Sequence, residues 1–124
     1  MREIKFRTWD KKDKLWVAGW SIGQAGVQTE TSNKVFMQYT GLQDKNGKEI
    51  FEGDVIPIVI ENLGESIKTV NGVVKFERGQ WNIEYLHPFE KEMYIANLYR
   101  LLERKEKEIL GNIYENPELL KEGK

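Results

Sequence analysis

Residues 67–85 read Ile67-Lys68-Thr69-Val70-Asn71-Gly72-Val73-Val74-Lys75-Phe76-Glu77-Arg78-Gly79-Gln80-Trp81-Asn82-Ile83-Glu84-Tyr85. The second half sets Trp81, Ile83 and Tyr85 at period two, so an extended chain carries all three on one face. Glu77-Arg78-Gly79-Gln80 is a short polar break between two β-rich runs, the mark of a hairpin. Asn71-Gly72 interrupts the first run and predicts two short strands with a turn or bulge between them. This hairpin sets the fold class: strands joined by tight turns.

Strand signals continue on the N-terminal side. Val55-Ile56-Pro57-Ile58-Val59-Ile60 is an unbroken apolar run, and Pro57, lacking an N–H, puts it at a sheet edge or on a bulge. Asp44-Lys45-Asn46-Gly47 reads as a tight turn, and Glu52-Gly53-Asp54 as a second one after Ile50-Phe51. Val35-Phe36-Met37-Gln38-Tyr39 is a further strand. Residues 21–34 are rich in Gly, Ser, Thr, Gln and Asn and predict a mobile loop, with a short strand near Val27. Ile4 to Trp9 alternates, Asp10 to Lys14 is a polar turn, and Leu15 to Trp20 returns, so the first twenty residues form a hairpin.

On the C-terminal side the period changes. Ile95, Leu98 and Leu102, and Tyr94 with Leu101, stand at helical spacings, with Glu90 and Glu92 before them and Arg100 and Arg104 at the end. That predicts a helix near 92–104, although Tyr and Ile leave a β reading of 93–99 open. Ile109 to Tyr114 reads as a last strand. Asn116-Pro117 then opens a short helical turn, with Asn116 as cap.

The bulk composition bounds the function. With 124 residues, 40% hydrophobic and 31% charged, the chain has the size and balance of one globular domain. It has no cysteine, hence no disulfide, thiolate metal site or Cys nucleophile, as suits a reducing compartment. No run approaches the roughly 20 apolar residues of a membrane span. The alternating start Met1 to Phe6 lacks the apolar stretch of an export signal, which leaves the cytoplasm as the expected location. The net charge of −1 is no global footprint for nucleic acid.

Catalytic constellations are few. The single histidine, His87, precedes Pro88, which holds it extended at a strand end. Glu49, Glu52 and Asp54, with Asp44 upstream, form a carboxylate group better explained as turn residues that cap backbone amides than as a Mg²⁺ site. Gly19, Gly23 and Gly26 lack the Lys-Ser or Lys-Thr of a phosphate-binding loop. No catalytic residue, metal ligand or cofactor site is expected, and the chain reads as a non-enzyme. The sharper pattern is basic and aromatic. Arg2, Lys5, Arg7, Lys11, Lys12 and Lys14 interleave with Phe6, Trp9, Trp16 and Trp20. Such a hairpin can pair phosphate contacts with base stacking. Arg2, Lys5, Arg7, Trp9, Lys11, Lys12, Lys14 and Trp16 are therefore candidate nucleic-acid contacts. The competing reading buries Phe6 and at least two tryptophans in the core.

Four stretches taken together are similar to one family. They are Arg2-Glu3-Ile4-Lys5-Phe6-Arg7 with Trp9-Asp10; Met37-Gln38-Tyr39-Thr40-Gly41-Leu42; residues 44–55 from Asp44 to Val55; and Gly111-Asn112-Ile113-Tyr114-Glu115-Asn116-Pro117-Glu118-Leu119-Leu120. With Gly72-Val73-Val74-Lys75-Phe76 between them, the chain resembles the YopX family of phage and prophage proteins; residues 86–108 carry no signature of it. The resemblance implies a small phage-encoded protein of the bacterial cytoplasm, mainly β and homo-oligomeric. It supplies no activity and no catalytic residue.

The expectation is one domain over residues 1–124. It is mainly β, a small SH3-like or related partly open barrel, with one helix near 92–104 and a short C-terminal helical turn. Gly53-Asp54-Val55 entering an apolar strand supports the barrel. The expected function is that of a phage or prophage accessory protein that works by self-association and by binding a host or phage protein, off the membrane. The alternative is a nucleic-acid-binding module using the basic, Trp-rich hairpin.

Overall fold

In the computed structural model, residues 4–17, 33–61, 64, 66–103 and 107–120 are described. They form β1 (Phe6–Asp10), β2 (Leu15–Trp16), β3 (Lys34–Gln43), β4 (Glu49–Phe51), β5 (Asp54–Glu61), β6 (Ile67–Glu77), β7 (Gln80–Leu86), β8 (Met93–Asn97), helix α1 (Leu98–Leu102), β9 (Gly111–Asn112) and a 3₁₀ turn, Pro117–Leu120. Two antiparallel sheets result, with strand orders β2-β1-β3-β4 and β8-β7-β6-β5-β9. The chain is mainly β and its sheet curls as a half-barrel, as the sequence predicts.

Ile56 and Ile58 on β5, Val74 on β6 and Ile83 on β7 fill the inner face, and Ile50, Leu98 and Ile109 close over them. Trp81 and Tyr85 pack beside this cluster, on the face their period-two spacing assigns. Pro57 lies where its missing N–H costs nothing. The Val55 carbonyl accepts the Leu110 N–H at 2.9 Å and the Pro57 carbonyl accepts the Lys107 ammonium at 3.2 Å. Both face away from β6, on the side where β9 pairs with β5 only at Asp54 and Val55.

Several local expectations change. The break at Asn71-Gly72 is absent: β6 runs unbroken, with Ile56 facing Gly72 and Pro57 facing Asn71. Gly72 serves space rather than a turn, because a Cβ there would lie 2.6 Å from Ile83 Cγ1 and 2.8 Å from Ile58 Cδ1. Gly47 and Gly53 sit at turns with positive φ, whereas Gly41 sits where β3 bulges against β4. The segment 92–104 divides at Asn97. Residues 93–97 follow β7 as a strand, and the helix begins where the Asn97 side chain accepts the Arg100 N–H. The last strand is shorter than 109–114. After Asn112 the chain turns, because Asn112 Oδ1 accepts the N–H groups of Tyr114 and Glu115 at 3.0 and 2.9 Å. Asn116 takes the Leu119 N–H on its carbonyl, while its side chain accepts from Asn112 rather than capping its own turn. The proposed strand near Val27, and Trp20, lie outside the described residues.

Candidate interaction surfaces

The N-terminal hairpin pairs mainly with β3. β1 meets β3 from Phe6–Gln38 to Asp10–Lys34, but meets β2 only at Trp9–Trp16 and Asp10–Leu15. Arg2 lies outside the described residues. The other candidates separate into two groups. Trp9 is 6% exposed and packs edge-on against Trp16, 4.9 Å between centroids. Lys5 is ion-paired with Glu49 and lies over the Tyr39 ring. Arg7 is ion-paired with Asp54, its guanidinium between the Trp16 ring at 4.8 Å and the Phe51 ring at 4.7 Å. Lys11, Lys12 and Lys14 stand exposed on the turn, beside a Trp16 that is 38% exposed. Asp10 shapes that turn. Its Oδ1 accepts the Lys12 and Asp13 N–H groups, and Lys34 adds an ion pair at 3.2 Å. The Asp13 N–H, against burial and with Lys34, holds the Asp10 carboxyl below its usual range.

The Arg7–Asp54 pair joins the two sheets. Asp54 is almost fully buried and also accepts the Phe51 N–H at 2.8 Å. Burial pushes its carboxyl up, and the Arg7 charge and these hydrogen bonds offset that only in part. A cleft of about 580 Å³ runs past this pair, between Trp16 and Val17 on one side and Leu110 and Asn112 on the other. Its half-buried cation, Arg7, is already matched by Asp54. The carboxylates noted in the sequence diverge: Glu49 turns to Lys5 and Asp54 to Arg7, while Glu52 stays on the turn between β4 and β5. Among the described residues no three His, Asp or Glu side chains group so as to hold a metal ion. His87 ends β7, and its Nδ1 accepts the Phe89 and Glu90 N–H groups, which makes it a turn cap.

The second surface is the margin of the larger sheet at β8, which no further strand pairs among the described residues. Tyr94 and Ala96 turn to the inner side, Tyr94 against the Tyr85 ring and Ala96 against the core. Met93 and Ile95 turn outward, 58% and 57% exposed. Glu90 accepts the Tyr94 hydroxyl, which pushes that phenol up to about 12. Helical spacing alone misses this surface, since it assigns Ile95 to a buried stripe. A usable signal stands in the sequence nonetheless: the seven residues from Met93 to Tyr99 carry no charge and are bracketed by Glu92 and Arg100.

Among the described residues no helix is long and apolar enough to cross a membrane, which says nothing of a β-barrel. The family described as YopX protein matches residues 18–121. The Arg2–Asp10 stretch therefore lies ahead of the matched region. The fold is similar to the crystal structure of protein EF1440 from Enterococcus faecalis, with 26% identity, a TM-score of 0.64, and coverage of 98% of this chain and 100% of that one. No curated protein matches.

Proposed function

This chain belongs to the YopX protein family, and on that premise we propose that it is a phage or prophage accessory protein acting in the bacterial cytoplasm. It works without catalysis, by associating with itself and with a host or phage protein. The supporting observation is the margin of the larger sheet, where Met93 and Ile95 stand exposed along a strand with no neighbour among the described residues. Unpaired apolar strand edges are templates for association. Light scattering over a concentration series should find a species heavier than the 14.6 kDa monomer. A strict monomer that retrieves no partner from phage-infected cells would end this reading.

A second reading, nucleic-acid binding by the β1–β2 hairpin, draws on the exposed Lys11, Lys12 and Lys14 beside Trp16. Titration with single- and double-stranded oligonucleotides at low salt tests it. Association weaker than about 10⁻⁴ M would remove it. Any binding found should vanish when the three lysines become glutamates.

A further inference from the structure

We infer that β8 pairs with β8 of a second copy of the chain, antiparallel across a two-fold axis at Ile95. The inference rests on the self-association reading above and assigns its interface. The ladder supplies the register. The His87 N–H donates to the Glu92 carbonyl at 2.8 Å, in the same register that sets Tyr85 against Tyr94 and Ile83 against Ala96. Hydrogen-bonded and non-hydrogen-bonded pairs alternate along antiparallel strands. Glu92, Tyr94 and Ala96 therefore turn their backbone groups to β7. Met93 and Ile95 turn both of theirs away from the sheet and Asn97 its N–H, the Asn97 carbonyl serving the first turn of α1, so the outward groups centre on Ile95.

Edges that must stay single carry charges, prolines or bulges. β8 has none of these, and its register with β7 is continuous from Met93 to Asn97. Two-fold pairing lays exposed Ile95 against its own copy and Met93 against Asn97. The flanking charges fit the same operation. Glu90 and Glu92 lie in the turn before β8 and Arg100 in the helix after it, so an antiparallel partner brings the acidic end of one copy toward the basic end of the other, at both ends. Arg100 and Glu92 are exposed and make no ion pair among the described residues.

The chain has no cysteine, so single-cysteine variants report clean contacts. In Ile95→Cys the paired Cα atoms should lie about 5.5 Å apart, inside the ~4.4–6.8 Å reach of a disulfide. Mild oxidation should then give a covalent dimer. Met93→Cys places the two thiols roughly 13 Å apart along the strands, and the exposed Tyr99→Cys sets them farther still, so both should stay uncrosslinked. Arg100→Glu, and separately Glu90→Arg with Glu92→Arg, oppose like charges at both ends and should each weaken association roughly tenfold or more. An equimolar mixture of the two variants opposes unlike charges and should restore it. A dimer that neither crosslinks at position 95 nor responds to the charge changes overturns this interface and leaves self-association standing. A strict monomer at every concentration overturns both.

Discussion

Asp44 ties two segments far apart in the sequence with one carboxylate. Its Oδ1 accepts the Asn46 and Lys48 N–H groups at 2.9 and 3.0 Å, and its Oδ2 accepts the Ile109 N–H at 3.0 Å. It thereby fixes the β3–β4 turn and pins the segment before β9 to it. Burial pushes this carboxyl up, but the three N–H donors outweigh burial and hold it below the ordinary 3.8. A depressed carboxylate lends stability above its unfolded pKa and withdraws it as pH falls through the folded one. Asp44→Asn sets an NH₂ against one of these donors and should cost about 1–3 kcal/mol in urea unfolding at pH 7. The variant should also lose less stability than the parent on acidification below pH ~4. The sequence exposed this residue only as one carboxylate near a turn. That it reaches Ile109, 65 positions away, depends on the chain closing over the sheet.

At the scale of elements, local pattern and packing part company at two places. Asn71-Gly72 has the local preference of a turn, yet β6 continues through it, because β5 pairs across that point and β7 takes up the ladder from Val73 onward. The missing side chain is filled by Ile58 and Ile83. Gly72→Ala should overpack this crossing and destabilise by about 1–3 kcal/mol, read as a lower denaturant midpoint without a change in slope. The 92–104 segment shows the converse. Its apolar residues fit a helical period, but the edge of β7 offers Met93 to Asn97 a ladder, and the helix forms only beyond the Asn97 cap. Period-two and helical patterns overlap over so few residues, so only the neighbouring strand decides between them.

At the scale of the molecule, the Arg7–Asp54 ion pair links the sheets. Arg7→Met would leave Asp54 buried without its cation. The cost at pH 7 should fall at or below the low end of the ~3–5 kcal/mol for a broken buried pair, because the Arg7 side chain keeps 20% of its exposure. Burial already holds Asp54 above 3.8. A carboxyl raised in the fold favours folding below its unfolded pKa and loses that share as pH rises through the folded pKa. The variant should therefore be penalised less near pH 4, where neutral Asp54 needs no cation, and urea titrations at pH 4 and pH 7 compare the two. By itself the sequence determined the strand-rich class, the hairpin at Glu77–Gln80, the shared face of Trp81, Ile83 and Tyr85, and that Pro57 needs a place where no ladder N–H is called for. Each follows from short-range chemistry: side-chain alternation, turn preference, a missing N–H. Tertiary structure alone decided that Trp9 is buried while Trp16 is half open, that Lys5 and Arg7 are matched by Glu49 and Asp54, and that Ile95 faces outward. Those outcomes depend on partners more than forty residues apart or on which strand lies at the sheet's margin, and no local pattern carries that information.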